Sequence, residues 1–334
     1  MWNKSALKLF VKPNESNLTQ DEKHLIVTIQ KKTTKWNVDN ISRTKAYHNF
    51  YEQNPEISWS FLASMVSRNA GWNMCDLHSP EYRTLLSVKK RRLLFETYER
   101  ANWLIFSDAY PQLLLYEVSK KCNTPLFHLL KAFQVSSFMG REWERLWNKR
   151  NYERINTCLI VNEQQLIQKP VLERTLYKER VFHSLPFWVQ DRFHFSTVLF
   201  PTVEGDLFGL SVHGFRKAKK RILLGRRLLK LLFHPAYHQR FSSFASNTEP
   251  TGARSEYERF LKIGRKGHMA ALRTLYPIIR HQREYDEDWS LKKSFTNLRF
   301  QEISLPDKVH LNDWYAHKRS ELHLLAFLKS KIQS

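Results

Sequence analysis

Between Leu207 and Pro235 the chain reads LFGLSVHGFRKAKKRILLGRRLLKLLFHP, with eight lysines and arginines and no acid. A run of cations like this attracts phosphate oxygens, because each cation that meets a phosphate releases a condensed counterion. Arg216, Lys219, Lys220, Arg226 and Arg227 are its candidate contacts. A second basic group, Arg265 and Lys266, sits between Gly264 and Gly267, where flexible backbone lets N–H groups face an anion beside the two charges. An exposed basic loop after a glycine-ended helix would show the same residues. The role expected of all seven is phosphate attraction, not the reading of bases.

The segment RNAGWNMCDL sets Arg68, Asn69, Trp72 and Asn73 close together at residues 68–77. They can form a polar pocket beside an aromatic wall, or cap a helix end while Trp72 fills the core. No catalytic spacing accompanies them, so the structural reading is favoured. Other signatures fail on spacing. Gly209 to Gly214 is one residue too long for a G-x-S-x-G elbow, and no Walker A or Rossmann glycine pattern occurs. His310, Asp313, His317 and Glu321 recur at helical intervals, but without a zinc pattern. His234 and His238 are separated by Pro235, which spoils a regular helical pair. Asp286, Glu287 and Asp288 read as a solvated acidic cap. Neither a metal nor a cofactor is expected, and no reaction is assigned.

The elements that must position these groups are helical. On a wheel, Phe215, Ala218, Ile222, Gly225, Leu229, Leu232 and Phe233 fall opposite Arg216, Lys219, Lys220, Arg226, Arg227 and Lys230. Lys217, Arg221, Leu223, Leu224, Leu228 and Leu231 break that division. Upstream, residues 18–36 fit a short amphipathic helix, and Asp39 or Asn40 can cap a second that stops before Pro55. Ser58 can cap a third, which Gly71 would end. Residues 81–109 read as helix, with a boundary at Pro111 before QLLLYEVSKK, and Glu96 pairs with Arg100 on its surface. Helix resumes over 137–168, where Trp143, Leu146, Trp147, Ile155, Leu159 and Leu166 line the packed side. FHFSTVLF is the one strand candidate, followed by a turn at Pro201 and Gly205. Residues 242–255 read as a loop, SEYERFLK as a short helix, and a last helix begins near Pro306 and Asp307.

Composition agrees with an all-α protein, an irregular multi-helix bundle with at most a minor strand element. Its 334 residues include only 9 glycines and 12 prolines, little turn chemistry for a many-stranded sheet. A 42% hydrophobic fraction argues against global disorder. One helical domain over 1–334 is expected, divisible into a less basic part, 1–206, and a basic part, 207–334. The formal charge is +22, and it is uneven. Residues 212–283 hold 17 basic and three acidic side chains, while the first 120 residues hold 17 and 12. That asymmetry points to a local polyanionic partner. Cys75, Cys122 and Cys158 are widely spaced, which suits reduced thiols. No apolar run is long enough to span a bilayer, so a cytoplasmic protein is expected, with peripheral membrane contact open.

Several stretches together resemble the YppC-like family of uncharacterised proteins from bacilli. They are NISRTKAYHNFYEQNPEISWSFLASMVSRNAGWNMCDL, ERANWLIFSDAYPQLLLYE, RILLGRRLLKLLFHP and SEYERFLK, spread over most of the chain. The resemblance implies a bacterial, intracellular protein and carries over no catalytic residue, cofactor or substrate. The expectation from the residues themselves is a polyanion-binding protein, with nucleic acid placed ahead of anionic membrane as partner. An enzyme acting on a phosphorylated substrate is the third reading, and oligomeric state is not legible.

Overall fold

The computed structural model describes residues 18–172, 197–211, 217–262, 270–283, 287–291 and 300–333. Among the described residues, seven α-helices lie in the first half: α1 Gln20–Trp36, α2 Asn40–Gln53, α3 Trp59–Asp76, α4 Pro80–Leu85, α5 Val88–Cys122, α6 Ser137–Lys149 and α7 Tyr152–Leu166. A two-stranded sheet, β1 Thr197–Pro201 and β2 Leu207–Ser211, precedes α8 Ala218–Leu232, α9 His238–Asn247, the short α10 Ser255–Glu258 and α11 Leu272–Leu275, and α12 Asn312–Gln333. The fold is mainly α-helical, as composition implied.

Helix starts follow local capping chemistry. Thr19 Oγ1 accepts from the Glu22 N–H at 3.2 Å while a Glu22 oxygen accepts from the Thr19 N–H at 2.8 Å, a reciprocal capping box. Asp39 accepts from the Ser42 N–H at 2.7 Å, and Ser79 caps α4 ahead of Pro80. Ser58 adopts helical backbone and makes no cap bond. Asn123, Gln134 and Arg150 take left-handed backbone conformations where α5, a 3-10 turn and α6 stop. The break at Arg150 divides the single helix expected over 137–168 into α6 and α7.

Two interior punctuation marks do not act as expected. Pro111 does not interrupt α5, which runs through it for 35 residues. A helical proline costs roughly 3 kcal/mol. Here Ala109, Tyr110, Leu113, Leu114, Leu115 and Tyr116 are all buried around it, and burying side chains of this size at about 1.5–3 kcal/mol each outweighs that cost. Nor does Gly71 end α3, which continues to Asp76. A Cβ on Gly71 would lie 3.3 Å from the Gly252 Cα, so this glycine serves close backbone approach.

Of the strand expected at FHFSTVLF, residues 197–200 lie in β1 and 193–196 lie outside the described residues, and its partner β2 opens the 207–235 stretch ahead of the basic helix. Their antiparallel register pairs Thr197 with Ser211, Leu199 with Gly209 and Pro201 with Leu207. Residues 309–311 then line the other edge of β2. Gly209 N donates to Val309 O at 2.9 Å and Leu311 N to Leu207 O at 2.7 Å. That pairing holds the chain extended, so α12 begins at Asn312 and not near Pro306. His310 therefore sits before the helix, off the stripe of Asp313, His317 and Glu321. The loop expected over 242–255 is helical as far as Asn247, in α9, and SEYERFLK keeps only the turn Ser255–Glu258.

The largest apolar cluster draws from Ile29 to Tyr315, with Trp59, Trp72, Trp143, Phe106 and Leu113 at its centre. A smaller one joins the end of α3 to α4, the start of α5, α11 and α12 through Met74, Tyr82, Phe95, Leu272 and Leu322. Helix α8 reaches the main core by lying close on α7: a Cβ on Gly225 would fall 2.7 Å from Ile160 Cγ2. Gly225→Ala should therefore destabilise by on the order of 1–2 kcal/mol despite alanine's helix propensity. Gly140, on α6, has nothing within 4 Å of its Cβ position. Gly140→Ala should stabilise by about 0.5–1 kcal/mol, so urea midpoints of the two variants should move in opposite directions.

Candidate functional site

Helix α8 carries the candidate cations on a core-packed framework. Its buried residues are Arg221, Gly225, Leu228, Leu231 and Leu232. Leu228 and Leu231, which broke the wheel, belong to the core, whereas Ile222 and Leu229 are only half-buried. The buried side is rotated from the expected one because α8 packs against α7, α3, β2 and α9 together, not against a single layer. Arg221 points inward and is satisfied there. Its Nε donates to Gln164 Oε1 at 2.7 Å, and Nη2 donates to the Gln164 carbonyl at 3.0 Å and to Gln168 Oε1 at 2.6 Å.

The outward cations differ. Lys219, Lys220 and Lys230 are exposed, and Arg226 and Arg227 are half-buried. Among the described residues none of the five forms an ion pair with a carboxylate. Arg226 Nη2 donates to the Gln301 carbonyl at 2.6 Å and Lys230 Nζ to the Ile303 carbonyl at 2.7 Å. Neutral carbonyls orient these side chains without cancelling their charge. Glu302, exposed between those two accepting carbonyls, forms no ion pair with any of the five cations. Arg216, Arg265 and Lys266 lie outside the described residues, so the structure brings together Lys219, Lys220, Arg226 and Arg227 of the seven.

The second candidate group is interior. Arg68, Asn69, Trp72 and Asn73 are each at most 4% exposed, within α3 and not at its end. Arg68 Nε donates to Glu256 Oε2 at 2.5 Å, Nη2 donates to the Thr248 carbonyl, and the guanidinium stands 4.7 Å from the centre of the Phe244 ring. Glu256 in turn accepts from the Thr251 and Gly252 N–H groups at 2.6 Å each. Asn69 serves as an edge cap for the sheet: its Oδ1 accepts from Leu199 N at 3.1 Å and its Nδ2 donates to Thr197 O at 3.4 Å. Asn73 accepts from Arg254 Nη2 at 2.9 Å, beside the Arg254–Asp76 ion pair. Trp72 meets Tyr257 edge-on at 4.6 Å. These residues hold the 248–258 segment onto α3. A filled network stands where the alternative reading placed a polar pocket, and Trp72 lies in the core as the favoured reading had it.

Other charged groups resolve similarly. Glu99 is buried in a bidentate pair with Arg43, at 2.5 and 2.9 Å, while Asn37 and Asn40 take further Arg43 N–H groups at 2.7 Å. Glu96 pairs with Arg92 at 2.8 Å and not with Arg100, whose guanidinium lies over Trp103. Of the acidic 286–288 run, Asp286 is outside the described residues, and Asp288 is not solvated. It is 2% exposed and accepts from the Ser137 N–H at 2.8 Å at the start of α6, a capping role played from 151 residues away. His317 pairs with Glu321 and His310 with Asp206, both at 3.1 Å. Among the described residues no three His, Cys, Asp or Glu side chains are grouped to hold a metal.

Sequence reasoning missed Asp108, one of the most enclosed carboxylates. It accepts from Asn162 Nδ2 at 2.6 Å and Gln112 Nε2 at 2.7 Å, with Arg283 at 3.7 Å. Its i,i+4 spacing to Gln112 was the only local signal. Burial pushes its carboxyl up to about 6, against the pull of Arg283 and those hydrogen bonds. The native state then holds this proton to higher pH than the unfolded chain, whose carboxyl titrates near 3.8. Asp108 contributes stability at low pH that is lost as pH rises through about 6. Relative to Asp108→Asn, the wild type should lose on the order of 2–3 kcal/mol between pH 3.5 and 7.5 in paired urea titrations. Separately, Arg68→Ala should cost about 3–5 kcal/mol by stranding Glu256, and Arg68→Met with Glu256→Leu should recover much of it.

A family model described as "Protein of unknown function (DUF2515)" matches residues 35–316. The chain is 46% identical over 305 residues to "Uncharacterized protein YppC" of Bacillus subtilis (strain 168), covering 90% of this chain and 94% of that relative. No solved structure matches. The buried network and α8 both fall inside the matched span, and the chain belongs to the DUF2515 family, in keeping with its resemblance to YppC-like proteins.

Proposed function

We infer that α8 is the phosphate-contacting face of a polyanion-binding protein whose partner is nucleic acid. One observation carries this reading: five cations on a single 15-residue helix have no carboxylate partner among the described residues. The interior arginines, Arg43, Arg68 and Arg254, each hold an acid. From Lys219 to Lys230 the helix rises roughly 16 Å, the axial length of about five base-pair steps. A single helix face can therefore engage several phosphates of one backbone.

The burial of α8 favours nucleic acid over membrane. Leu228, Leu231 and Leu232 are already in the core and Ile222, Leu224 and Leu229 pack against it, which leaves Leu223 as the exposed leucine of the helix. Attraction to an anionic headgroup would rest mainly on charge. Among the described residues no helix is long and apolar enough to cross a membrane. Arg265 and Lys266 remain part of the proposal as a second basic segment, and Arg216 as an extension of the first. A role in holding a phosphorylated substrate draws no support from Arg68, Asn69 and Asn73, whose polar atoms are engaged with β1 and the 248–258 segment.

Fluorescence anisotropy with labelled duplex DNA, single-stranded DNA and RNA, alongside co-sedimentation with anionic vesicles, tests this. Affinity for nucleic acid should fall steeply with salt. Arg226→Glu with Arg227→Glu should weaken it by more than about tenfold and reduce the logarithmic salt slope by about 2, while circular dichroism stays helical. Adding Arg265→Glu and Lys266→Glu should weaken it further. Unchanged affinity in the double variant would remove α8 from the reading, and vesicle binding that survives high salt without nucleic-acid binding would replace it with a membrane role.

A further inference from the structure

On another part of the fold, a cleft of about 630 Å³ opens between the first turns of α5 and residues 275–281. Its volume suits a small organic ligand. One wall is apolar and rigid: the Phe95 and Tyr276 rings are parallel, with centroids 3.7 Å apart, and the Tyr276 hydroxyl is fixed by donating to the Met74 carbonyl at 2.9 Å. Pro277 and Ile279 extend this wall, and Val88 stands at the cleft 71% exposed, an aliphatic side chain left facing water. A second cavity of about 290 Å³ shares Phe95, Tyr276, Pro277 and Ile279 with the first.

The polar side of the larger cleft is cationic. Arg91, Arg92 and Arg100 line it, and the one carboxylate among its described lining residues, Glu96, is taken by Arg92. Arg91 is the cation with capacity to spare. Its Nη1 donates to the Leu77 carbonyl at 3.2 Å, its Nε is buried without a hydrogen-bond partner, and its charge meets no carboxylate among the described residues. The carboxylates bordering the smaller cavity, Asp39 and Glu99, are bound to Arg273 and Arg43, so they do not offset Arg91. An unneutralised guanidinium beside a fixed apolar wall favours a ligand that is charged at one end and apolar along the other. A purely inorganic anion would leave the wall wet, and a neutral aromatic would leave Arg91 without a counter-charge.

We propose that this cleft binds a small amphipathic anion, a carboxylate, sulfonate or phosphate ester whose charged group meets Arg91 and whose apolar body lies along Tyr276, Pro277 and Ile279. The site uses no residue of α8, so it stands or falls independently of the nucleic-acid reading.

Calorimetric titration of the full chain with 2-naphthalenesulfonate, inorganic sulfate and 2-naphthalenemethanol separates the two ends of the ligand. The sulfonate should saturate one site per chain, with sulfate and the neutral alcohol each at least about tenfold weaker. Arg91→Gln and Val88→Glu should each weaken the sulfonate by about tenfold. Val88 is exposed at the first position of α5, where a glutamate also suits the helix N-terminus, so that variant keeps its fold. Arg226→Glu with Arg227→Glu should leave the titration unchanged. The proposal is overturned if the sulfonate shows no saturable site, if the neutral alcohol binds as tightly, or if the α8 variant abolishes binding while Arg91→Gln and Val88→Glu do not.

Discussion

Three arginines buried to within a few per cent, Arg43, Arg68 and Arg254, each meet a carboxylate from a distant part of the chain. A guanidinium cannot be left in a protein interior without acceptors for its N–H groups, so these partners must arrive together. Arg43 on α2 holds Glu99 on α5, while Arg68 and Asp76 on α3 hold Glu256 and Arg254 from about 180 residues away. Apolar burial drives collapse without choosing among many arrangements of leucine and tryptophan. The geometry of a fork against a carboxylate is far more selective. These pairs fix where α2, α3, α5 and the 248–258 segment lie relative to one another.

The same constraint sorts the chain's positive charge into two populations. Interior cations are spoken for, by acids or, for Arg221, by amide and carbonyl oxygens. On the outer side of α8, Arg226 and Lys230 touch neutral carbonyls, Lys219 and Lys220 are exposed, and Arg227 Nε is buried without a hydrogen-bond partner. An excess of +14 over residues 212–283 therefore overstates the available charge, since Arg221, Arg254 and Arg273 are consumed within it. What remains outward is a smaller and better-defined set. The cleft beside α5 follows the same logic at a smaller scale, because Glu96 neutralises Arg92 and leaves Arg91 over.

The start of α2 was legible because Asp39 reaches its own backbone at Ser42, and no distant partner is needed. Thr19 and Ser79 cap by the same local chemistry without having been singled out, whereas Ser58, which was, makes no cap bond. The same local reasoning failed at Pro111 and Gly71. There the outcome rests on what packs around the residue: buried leucines and tyrosines beside one, the Gly252 backbone against the other. Asp288 failed in the opposite sense, a capping carboxylate whose helix begins 151 residues earlier.

By itself the sequence determined that this protein is helical, that its positive charge is uneven, and that Lys219, Lys220, Arg226 and Arg227 fall on one helix. These follow from periodicity and composition, which are properties of neighbouring residues. Only the tertiary structure decided that Arg68, Asn69 and Asn73 are fastenings and not a pocket, that Arg221 turns inward, and that Arg91 faces an apolar wall. The reason is solvation: whether a polar side chain is a free ligand or an internal tie depends on which groups replace its water. Those groups come from segments that chain order does not place beside it.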